Sequence, residues 1–427
     1  MNLAVNGGPT LTSGWNDESL SYFDFAQTLH ENGIIADPWI DGQPRFRLQG
    51  VVLPATQARS LQVAAERIGA IYQELIALVW QHPEWLDTYF NLTPYQKLMW
   101  FASQGRWHGI ARADLFFCQD GRIQCCEINS DTPSGEPEAV VLNRLLRAYH
   151  HQVRDPNRWL PTAFWRMLQA SHGDRPLHTI GIVYPTELPE DLGMISIYQR
   201  WLESRGCRVV LGSPYNLHPC KNGLGMFGQR LDLIIRHYKT DWWGERQVVW
   251  YDAEPYPDSE PLAAQLHLIL KSEYSGKVTV VNPFGTVISQ NKLSLAFMWE
   301  EQHLFSPRAQ DWIRRYIPPT YRLSTFDQDQ LVDEAHQWVM KSAYGCEGEE
   351  TICGPFVNDT EWRDSVYSAI PKFWVCQRFF TVKPEMDGYL PNYGVFLIGG
   401  KSTGFFTRLA AKSTDEMAVS APTYIEK

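Results

Sequence analysis

Two apolar runs separated by Asp120-Gly121 constrain this chain more than any other stretch. The runs span residues 111–117 and 122–129, and the dipeptide between them suits a tight turn with positive φ. Runs of this length on either side of such a turn predict a β-hairpin. Asp-Thr-Pro-Ser-Gly follows at 131–135, a loop composition at the point where a strand gives way to a binding loop.

The hairpin carries a concentrated set of polar side chains. Successive side chains point to opposite faces of a strand, so Arg112 shares a face with Asp114, and Glu127 shares one with Asn129. If the strands pair, two carboxylates, an amide oxygen and a guanidinium occupy one surface. Hard oxygen ligands of this kind suit Mg²⁺, which binds through a few carboxylates and the phosphates of a nucleotide. The alternative is a hairpin whose polar face simply meets water.

Composition and charge exclude several classes of protein. The chain has 427 residues, 44% hydrophobic and 20% charged, which is normal for a globular protein of about two to three domains. A net charge of −10 and the lack of a long Lys/Arg run argue against nucleic acid or an anionic membrane as a partner. No stretch is long and apolar enough to span a bilayer, and the N-terminus lacks a signal-peptide pattern. Eight cysteines without Cys-x-x-Cys spacing indicate reduced thiols, so we expect a cytoplasmic protein.

The hydrophobic periodicity outlines the elements. The first hundred residues read as mainly helical. Strand, helix and strand follow one another between residues 178 and 211, which predicts a βαβ unit with a parallel sheet. Helices are predicted at 61–78, 94–102, 138–150, 192–205, 293–303 and 328–335. Strands are predicted at 178–184, 207–211, 231–236, 277–282, 338–342, 373–380, 394–398 and 403–410.

Four further side chains are candidates for nucleotide binding. Lys341 ends a strand and precedes a loop with Gly345 and Gly348, where backbone N–H groups and a lysine can hold phosphates. Taken by itself, this pattern favours a plain turn. Lys292 stands at a helix start, a second position for a phosphate or for a solvated cation. Gln377 lies in a strand where amide groups can read an adenine edge, or where it is one polar residue on an exposed face. For Arg408, a paired surface arginine is the simpler interpretation.

Taken in order, these elements resemble the ATP-grasp ligases, and within them the synthetase domain of the glutathionylspermidine synthase family. The resemblance runs from about residue 95 to 412. Its strongest part is Arg112-x-Asp114 with Glu127-x-Asn129-x-Asp131-Thr132-Pro133, followed by the basic and aromatic segment 235–243. Five spaced elements in the family's order are far more specific than any one of them.

The resemblance implies an α/β protein with the ATP-grasp fold and an accessory α/β domain. The metal ligands precede the phosphate lysines, which implies the circularly permuted arrangement of eukaryotic-type glutathione synthetases. The implied division is a helical N-terminal part with the metal-site hairpin (1–175), an accessory substrate domain (176–275), and a nucleotide-binding part with a lid (276–427).

The resemblance also implies roles for individual residues. The enzyme would be a carboxylate–amine ligase that uses ATP and Mg²⁺, acting on a small-molecule or peptide carboxylate and an amine. The implied site has a catalytic Arg112, metal ligands Asp114, Glu127 and Asn129, nucleotide-binding Lys292, Lys341, Gly345, Gly348, Gln377 and Arg408, and substrate-binding Ser130, Asp131, Thr132, Ser134, Arg236 and Lys239. Two alternative functions stay open: a non-catalytic ATP-binding scaffold or regulator, and an ATP-dependent phosphotransferase. The identities of the acid and amine and the oligomeric state do not follow from the sequence.

Overall fold

A computed structural model of the chain describes residues 10–11 and 21–427, apart from 151, 189–190, 222, 245–261, 345–350, 370–372, 386–387 and 413–416. The helices are Tyr22–Asn32, Ala55–Gln81, Trp85–Thr88, Pro94–Ser103, Glu136–Leu146, Leu160–His172, Leu192–Glu203, Thr240–Gly244, Ala263–Tyr274, Thr286–Ser289, Leu293–Glu300, Pro307–Tyr316, Gln328–Asp333 and Asp359–Ala369. Short 3-10 turns join several of them, including Pro156–Trp159.

The central sheet is antiparallel and combines strands from both ends of the chain. In spatial order its strands are Val419–Ala421, Lys401–Ala410, Leu390–Ile398, Ile110–Phe117 and Ile123–Asn129. The last two form the predicted hairpin, which is confirmed. Gly121 has φ 82°, and the Asp120 carboxylate accepts a hydrogen bond from the Arg122 N–H at 3.0 Å. Asp120 and Gly121 therefore make the turn for the reason that the sequence indicated.

Alternation along the hairpin separates the core from the polar face. Ala111, Ala113 and Leu115 are fully buried in the same apolar cluster as the long helix Ala55–Gln81. This helix has small and branched apolar residues at helical spacing, so one side of it packs on the sheet. The residues between these three strand positions point to the opposite face, where the polar side chains gather.

A second antiparallel sheet, here called the lid sheet, has the order Thr320–Arg322, Trp374–Arg378, Trp338–Ser342 and Thr351–Cys353. The helix Asp359–Ala369 packs against it through Trp362 and Val366, in a small apolar cluster of its own. A separate core of this kind lets the lid sheet form a unit beside the central sheet.

The third sheet, here called the accessory sheet, is parallel, as the βαβ pattern predicted. Its order is Thr279–Val281, Leu233–Arg236, Thr179–Val183 and Arg208–Gly212. The helix Leu192–Glu203 connects its first two strands in chain order. The strand Thr279–Val281, which is the last of the four in chain order, lies beyond residue 275. The sheet therefore continues into the range that the sequence assigned to the nucleotide-binding part.

Smaller sheets complete the fold. They comprise Leu217–Cys220 with Gly223–Met226 and Gln229–Arg230, Trp39–Ile40 with Gln43–Pro44, and Thr10–Leu11 with Val51–Leu53, Thr423–Glu426 and Val153–Arg154. The first hundred residues are thus not helical throughout, because short strands interrupt them before residue 55. The helix predicted at 138–150 ends at Leu146 and continues as a 3-10 turn.

Candidate active site

The register of the hairpin brings the four predicted polar side chains together. Asp114 lies directly opposite Glu127, and Arg112 lies directly opposite Asn129. A bulge after Asp114 shifts the rest of the pairing by one residue. The four side chains consequently share one face, as the alternation predicted.

Asp114 is held between two arginines. Its side chain is 1% exposed, and Arg112 donates to both carboxylate oxygens at 2.7 and 3.0 Å. Arg408 donates to Oδ2 at 2.8 Å from the neighbouring part of the sheet. Burial raises the pKa of Asp114, but the two guanidinium charges outweigh it, so the pKa is lowered and the carboxylate is ionised.

Glu127 meets the two predicted lysines. Lys292 precedes the helix Leu293–Glu300, as expected, and its Nζ lies 3.7 Å from Glu127 Oε2. Burial raises the pKa of Glu127, but the charges of Lys292 and Lys341 outweigh it and lower the pKa. With 30% of its side chain exposed, Glu127 is more open to a ligand than Asp114, whose side chain is 1% exposed.

The lid sheet reaches the hairpin through Lys341. Its Nζ donates to the Cys126 carbonyl at 3.1 Å and to Gln377 Oε1 at 2.9 Å. The Gln377 amide donates in turn to Thr320 Oγ1 at 3.1 Å. Gln377 is therefore buried and hydrogen-bonded to Lys341, not displayed on an exposed strand face. Gly345 and Gly348 lie outside the described residues.

The loop after the hairpin is anchored at its start and open further along. Ser130 bonds Ser289 through their hydroxyls at 2.7 Å. Asp131 accepts from Arg236 at 2.6 Å and from the Thr240 N–H at 2.8 Å. The hydroxyls of Thr132 and Ser134 make no hydrogen bond to a described residue, and Ser134 is exposed. The first two residues fix the loop, and the next two leave polar groups for a ligand.

Arg236 and Lys239 differ in what remains available. The Arg236 side chain is 0% exposed, and besides Asp131 it donates to the carbonyls of Asn282 and Tyr238. It thus ties the accessory sheet to the 130–136 loop, where the sequence expected a substrate contact. Lys239 is half-buried, with its Nζ 4.8 Å from the Trp242 ring centre.

The sequence did not predict the role of Asn392 or the burial of Glu136, which it had placed in the loop that borders the acyl phosphate. Asn392 is buried beside Asp114 and helps to lower its pKa by hydrogen bonding, while its Oδ1 has no partner among the described residues. Glu136, the first residue of its helix, is 1% exposed and accepts a hydrogen bond from Tyr198 at 3.0 Å. Asn392 alternates with apolar neighbours on its strand, a weak signal, whereas nothing local marks Glu136 as buried.

The donor set fits a hard divalent cation. Asp114, Glu127 and Asn129 supply carboxylate and amide oxygens, which Mg²⁺ prefers. Asp114 Oδ1 accepts a hydrogen bond from Arg112, and Oδ2 accepts hydrogen bonds from Arg112, Arg408 and the Asn129 amide. Within the part of the chain that the structure describes, no cluster of three or more His, Cys, Asp and Glu residues is suited to a metal. A site here would therefore depend on the amide oxygen and on ligands from a bound molecule.

The summed charge of these side chains favours an anionic ligand. Four positive charges come from Arg112, Arg408, Lys292 and Lys341, and two negative charges come from Asp114 and Glu127. The net charge of these six side chains is +2. These charges are packed in a region of low exposure, where electrostatic interactions are strong. The arrangement is suited to a polyphosphate that carries its own divalent cation.

A family comparison agrees with this geometry. The family model described as glutathionylspermidine synthase preATP-grasp matches residues 27–426, nearly the whole chain. The chain belongs to this family. The family makes it an ATP-grasp ligase, an ATP-dependent enzyme that forms C–N bonds, and ATP use follows from that membership. No curated protein matches the chain.

One solved structure supports the fold. A glutathione synthetase-like effector from Globodera pallida is similar over 95% of this chain and 96% of its own, with a TM-score of 0.59 and 12% identity. A putative gamma-glutamylcysteine synthetase from Methylobacillus flagellatus covers 85% of both chains at 13% identity and a TM-score of 0.45. The first likeness, together with the family, establishes the permuted ATP-grasp fold, in which the hairpin at residues 110–129 precedes the second antiparallel sheet. Among the described residues, no helix is long and apolar enough to cross a membrane.

Proposed function

We propose that this ligase joins a carboxylate to an amine through an acyl phosphate. The observation that carries the proposal is the meeting of four cations with two carboxylates where the lid sheet touches the hairpin, through Lys341 and the Cys126 carbonyl. Phosphoryl transfer depends mainly on positioning and charge neutralisation, which such a cluster provides. Lys292 and Lys341 would bind phosphates, while Gln377 and the strand around it would border the adenine.

The metal ligands would be Asp114, Glu127 and Asn129. A bound Mg²⁺ would supply charge neutralisation on the phosphates. Arg112 already holds the Ser134 carbonyl at 2.7 Å, so its guanidinium lies between the metal-site face and the substrate loop. From there it would stabilise negative charge on the transferring phosphoryl group and on the tetrahedral intermediate.

The reaction has two balanced steps. An oxygen of the substrate carboxylate attacks the γ-phosphorus, ADP leaves, and an acyl phosphate forms. The amine nitrogen then attacks the acyl carbon, the C–O bond to phosphate breaks, and the nitrogen loses a proton. The loop 344–350, with Gly345 and Gly348, would close over the phosphates and keep water from the acyl phosphate.

The acid would lie between the 130–136 loop and the accessory sheet. The strand order of that sheet reverses between Thr179–Val183 and Leu233–Arg236, and ligands of open parallel sheets bind at the carboxyl ends beside such a reversal. His237 and Lys239 follow directly after the second of these strands. Thr132 and Ser134 would hydrogen-bond the acid, and Lys239 would bind a second carboxylate. We therefore propose a small peptide or amino acid with more than one carboxylate.

The test is amine-dependent release of ADP. Purified protein, ATP and Mg²⁺ are crossed with acids (glutathione, other small peptides, amino acids) and amines (spermidine, other polyamines, amino acids), and products are read by mass. A ligase requires both acid and amine, and hydroxylamine in place of the amine should yield a hydroxamate. Glu127→Gln should abolish both products, whereas Glu203→Gln, an exposed carboxylate elsewhere, should leave them unchanged. ADP release with an acid alone and a stable phosphorylated product would indicate a phosphotransferase. No nucleotide turnover with any pair would indicate a scaffold and refute the proposal.

A further inference from the structure

A basic cleft lies apart from the candidate active site. It has a volume of about 960 Å³ and is lined by the strand Val153–Arg154, the 3-10 turn Pro156–Trp159, the start of the helix Leu160–His172 and residues 402–404. Gly404 borders the cleft, while Arg408 on the same strand contacts Asp114. The two positions are four residue steps apart along the strand, a distance of roughly 13 Å. None of the predicted site residues lines the cleft.

The charge of the cleft is opposite to that of the chain. Four arginines line it, Arg147, Arg154, Arg158 and Arg166. The acidic lining residue is Asp155, whose Oδ1 already accepts from the Asn143 amide at 2.7 Å and the Asn157 N–H at 2.8 Å. The whole chain carries −10, so general composition does not explain this concentration of positive charge. A concave surface lined by one sign of charge focuses its field and attracts counter-ions.

Two of these arginines have guanidinium N–H groups available for a ligand. The side chains of Arg154 and Arg166 are exposed and make no hydrogen bond or ion pair with any described residue. Arg158 lies over the ring of Trp159, 4.4 Å from its centre, and 57% of Trp159 is exposed. Arg147 is held by the carbonyls of His150 and Val153. Mutual repulsion of like charges destabilises a folded chain, and a bound anion would relieve it.

The backbone beneath these side chains is fixed in advance. The Asn157 amide donates to the carbonyls of Ala139 and Phe405 at 2.8 and 3.0 Å, and its Oδ1 accepts from the Phe405 N–H at 2.7 Å. Asn157 is 1% exposed. The turn that carries Arg158 and Trp159 is thus anchored to the central sheet, and a preorganised surface loses less entropy when it binds.

We propose that this cleft binds a small phosphorylated anion with several negative charges. Arginine presents a planar fork of donors that matches phosphate oxygens, and four of them around one cleft can contact more than one phosphate group. The exposed ring of Trp159 can receive a flat group such as a nucleotide base. The site is independent of the ligase reaction proposed above.

Calorimetric titration with inorganic tripolyphosphate tests the proposal. The double variant Arg154→Ala/Arg166→Ala should bind at least tenfold more weakly than the wild type. The control Arg205→Ala/Arg363→Ala removes two exposed arginines from other regions, which make no hydrogen bond or ion pair with a described residue, and it should bind like the wild type. Any tripolyphosphate bound near Lys341 persists in both double variants, so their difference belongs to the cleft. Both substitutions remove exposed side chains, and unchanged melting temperatures confirm that folding is intact.

The outcomes separate cleanly. No binding by the wild type, equal weakening in both double variants, or full affinity in Arg154→Ala/Arg166→Ala would overturn the proposal. Titration with ADP and with a sugar bisphosphate distinguishes the sources of phosphate. Trp159→Leu should weaken ADP alone if the ligand carries a base, and it should weaken neither if the phosphate groups alone are recognised.

Discussion

Replacing Glu136 by glutamine should change how the stability of this protein depends on pH. Glu136 is 1% exposed, and its Oε2 has no partner among the described residues. Burial raises its pKa from 4.5 to about 7, against the opposing effects of Tyr198, Arg112 and His237. A carboxylate in this position is costly to ionise.

The sign and size follow from proton linkage. Between pH 4.5 and about 7 the native state binds more protons at Glu136 than the unfolded state does, so the free energy of unfolding falls as pH rises. At about 1.4 kcal/mol per pH unit, the penalty reaches about 3 kcal/mol above pH 7 and is absent below pH 4.5. Glu136→Gln cannot ionise, so this penalty disappears in the variant. The amide oxygen can still accept the Tyr198 hydrogen bond.

The measurement is urea unfolding of wild type and variant at pH 5 and pH 8.5, followed by tryptophan fluorescence. Glu273 and Asp241 also have raised pKa values, to about 7 and about 6, chiefly through burial, so they contribute to the wild-type profile. The difference in unfolding free energy between variant and wild type cancels the contributions of these two residues. It should favour the variant by about 2 to 3 kcal/mol more at pH 8.5 than at pH 5. Any constant cost of the amide cancels in this comparison.

A second variant sharpens the reasoning. Tyr198→Phe keeps the ring that stacks on Phe164 but removes the hydroxyl that stabilises ionised Glu136. The part of the pH dependence that Glu136 contributes should therefore become larger in Tyr198→Phe and vanish in the double variant with Glu136→Gln, while the contributions of Glu273 and Asp241 remain. If wild type and Glu136→Gln differ by the same free energy at both pH values, Glu136 does not titrate as a buried carboxyl group and the reasoning fails.

Three other predictions follow from the site. Lys341→Ala should strongly weaken ATP binding, measured by calorimetry, because a phosphate loses its countercharge. Lys401→Ala, which removes an exposed lysine, is the control, and unchanged ATP affinity in Lys341→Ala would assign Lys341 a structural role. Arg236→Ala should lower the free energy of unfolding by about 3 to 5 kcal/mol because the buried Asp131 carboxylate loses its ion-pair partner. An effect limited to the KM of the acid substrate would instead assign Arg236 to substrate binding. The loop 344–350 should exchange its amide hydrogens quickly without ATP and Mg²⁺ and slowly with them, and equal exchange in both states would argue against a lid.

Local sequence determined the part of the site that lies within one hairpin. The turn at Asp120-Gly121 and the alternation of side chains fix the face on which Arg112 and Asp114 lie. Both effects act over a few residues, so the pattern alone is sufficient. The βαβ unit could also be predicted from the sequence, because two parallel strands need a crossover connection long enough to hold a helix.

Register and long-range packing decided the rest. Lys341 and Gln377 reach the hairpin from a different sheet, and the Lys341 Nζ bonds a carbonyl that is 215 residues away in sequence. Arg236 reads as a substrate ligand in the sequence, yet the fold places it against Asp131 with no exposed surface. Glu136 is unremarkable as a helix-starting residue until the accessory domain covers it. Hydrophobic periodicity specifies which face of an element is buried, but not which element covers it, because that choice depends on contacts between segments far apart in the chain.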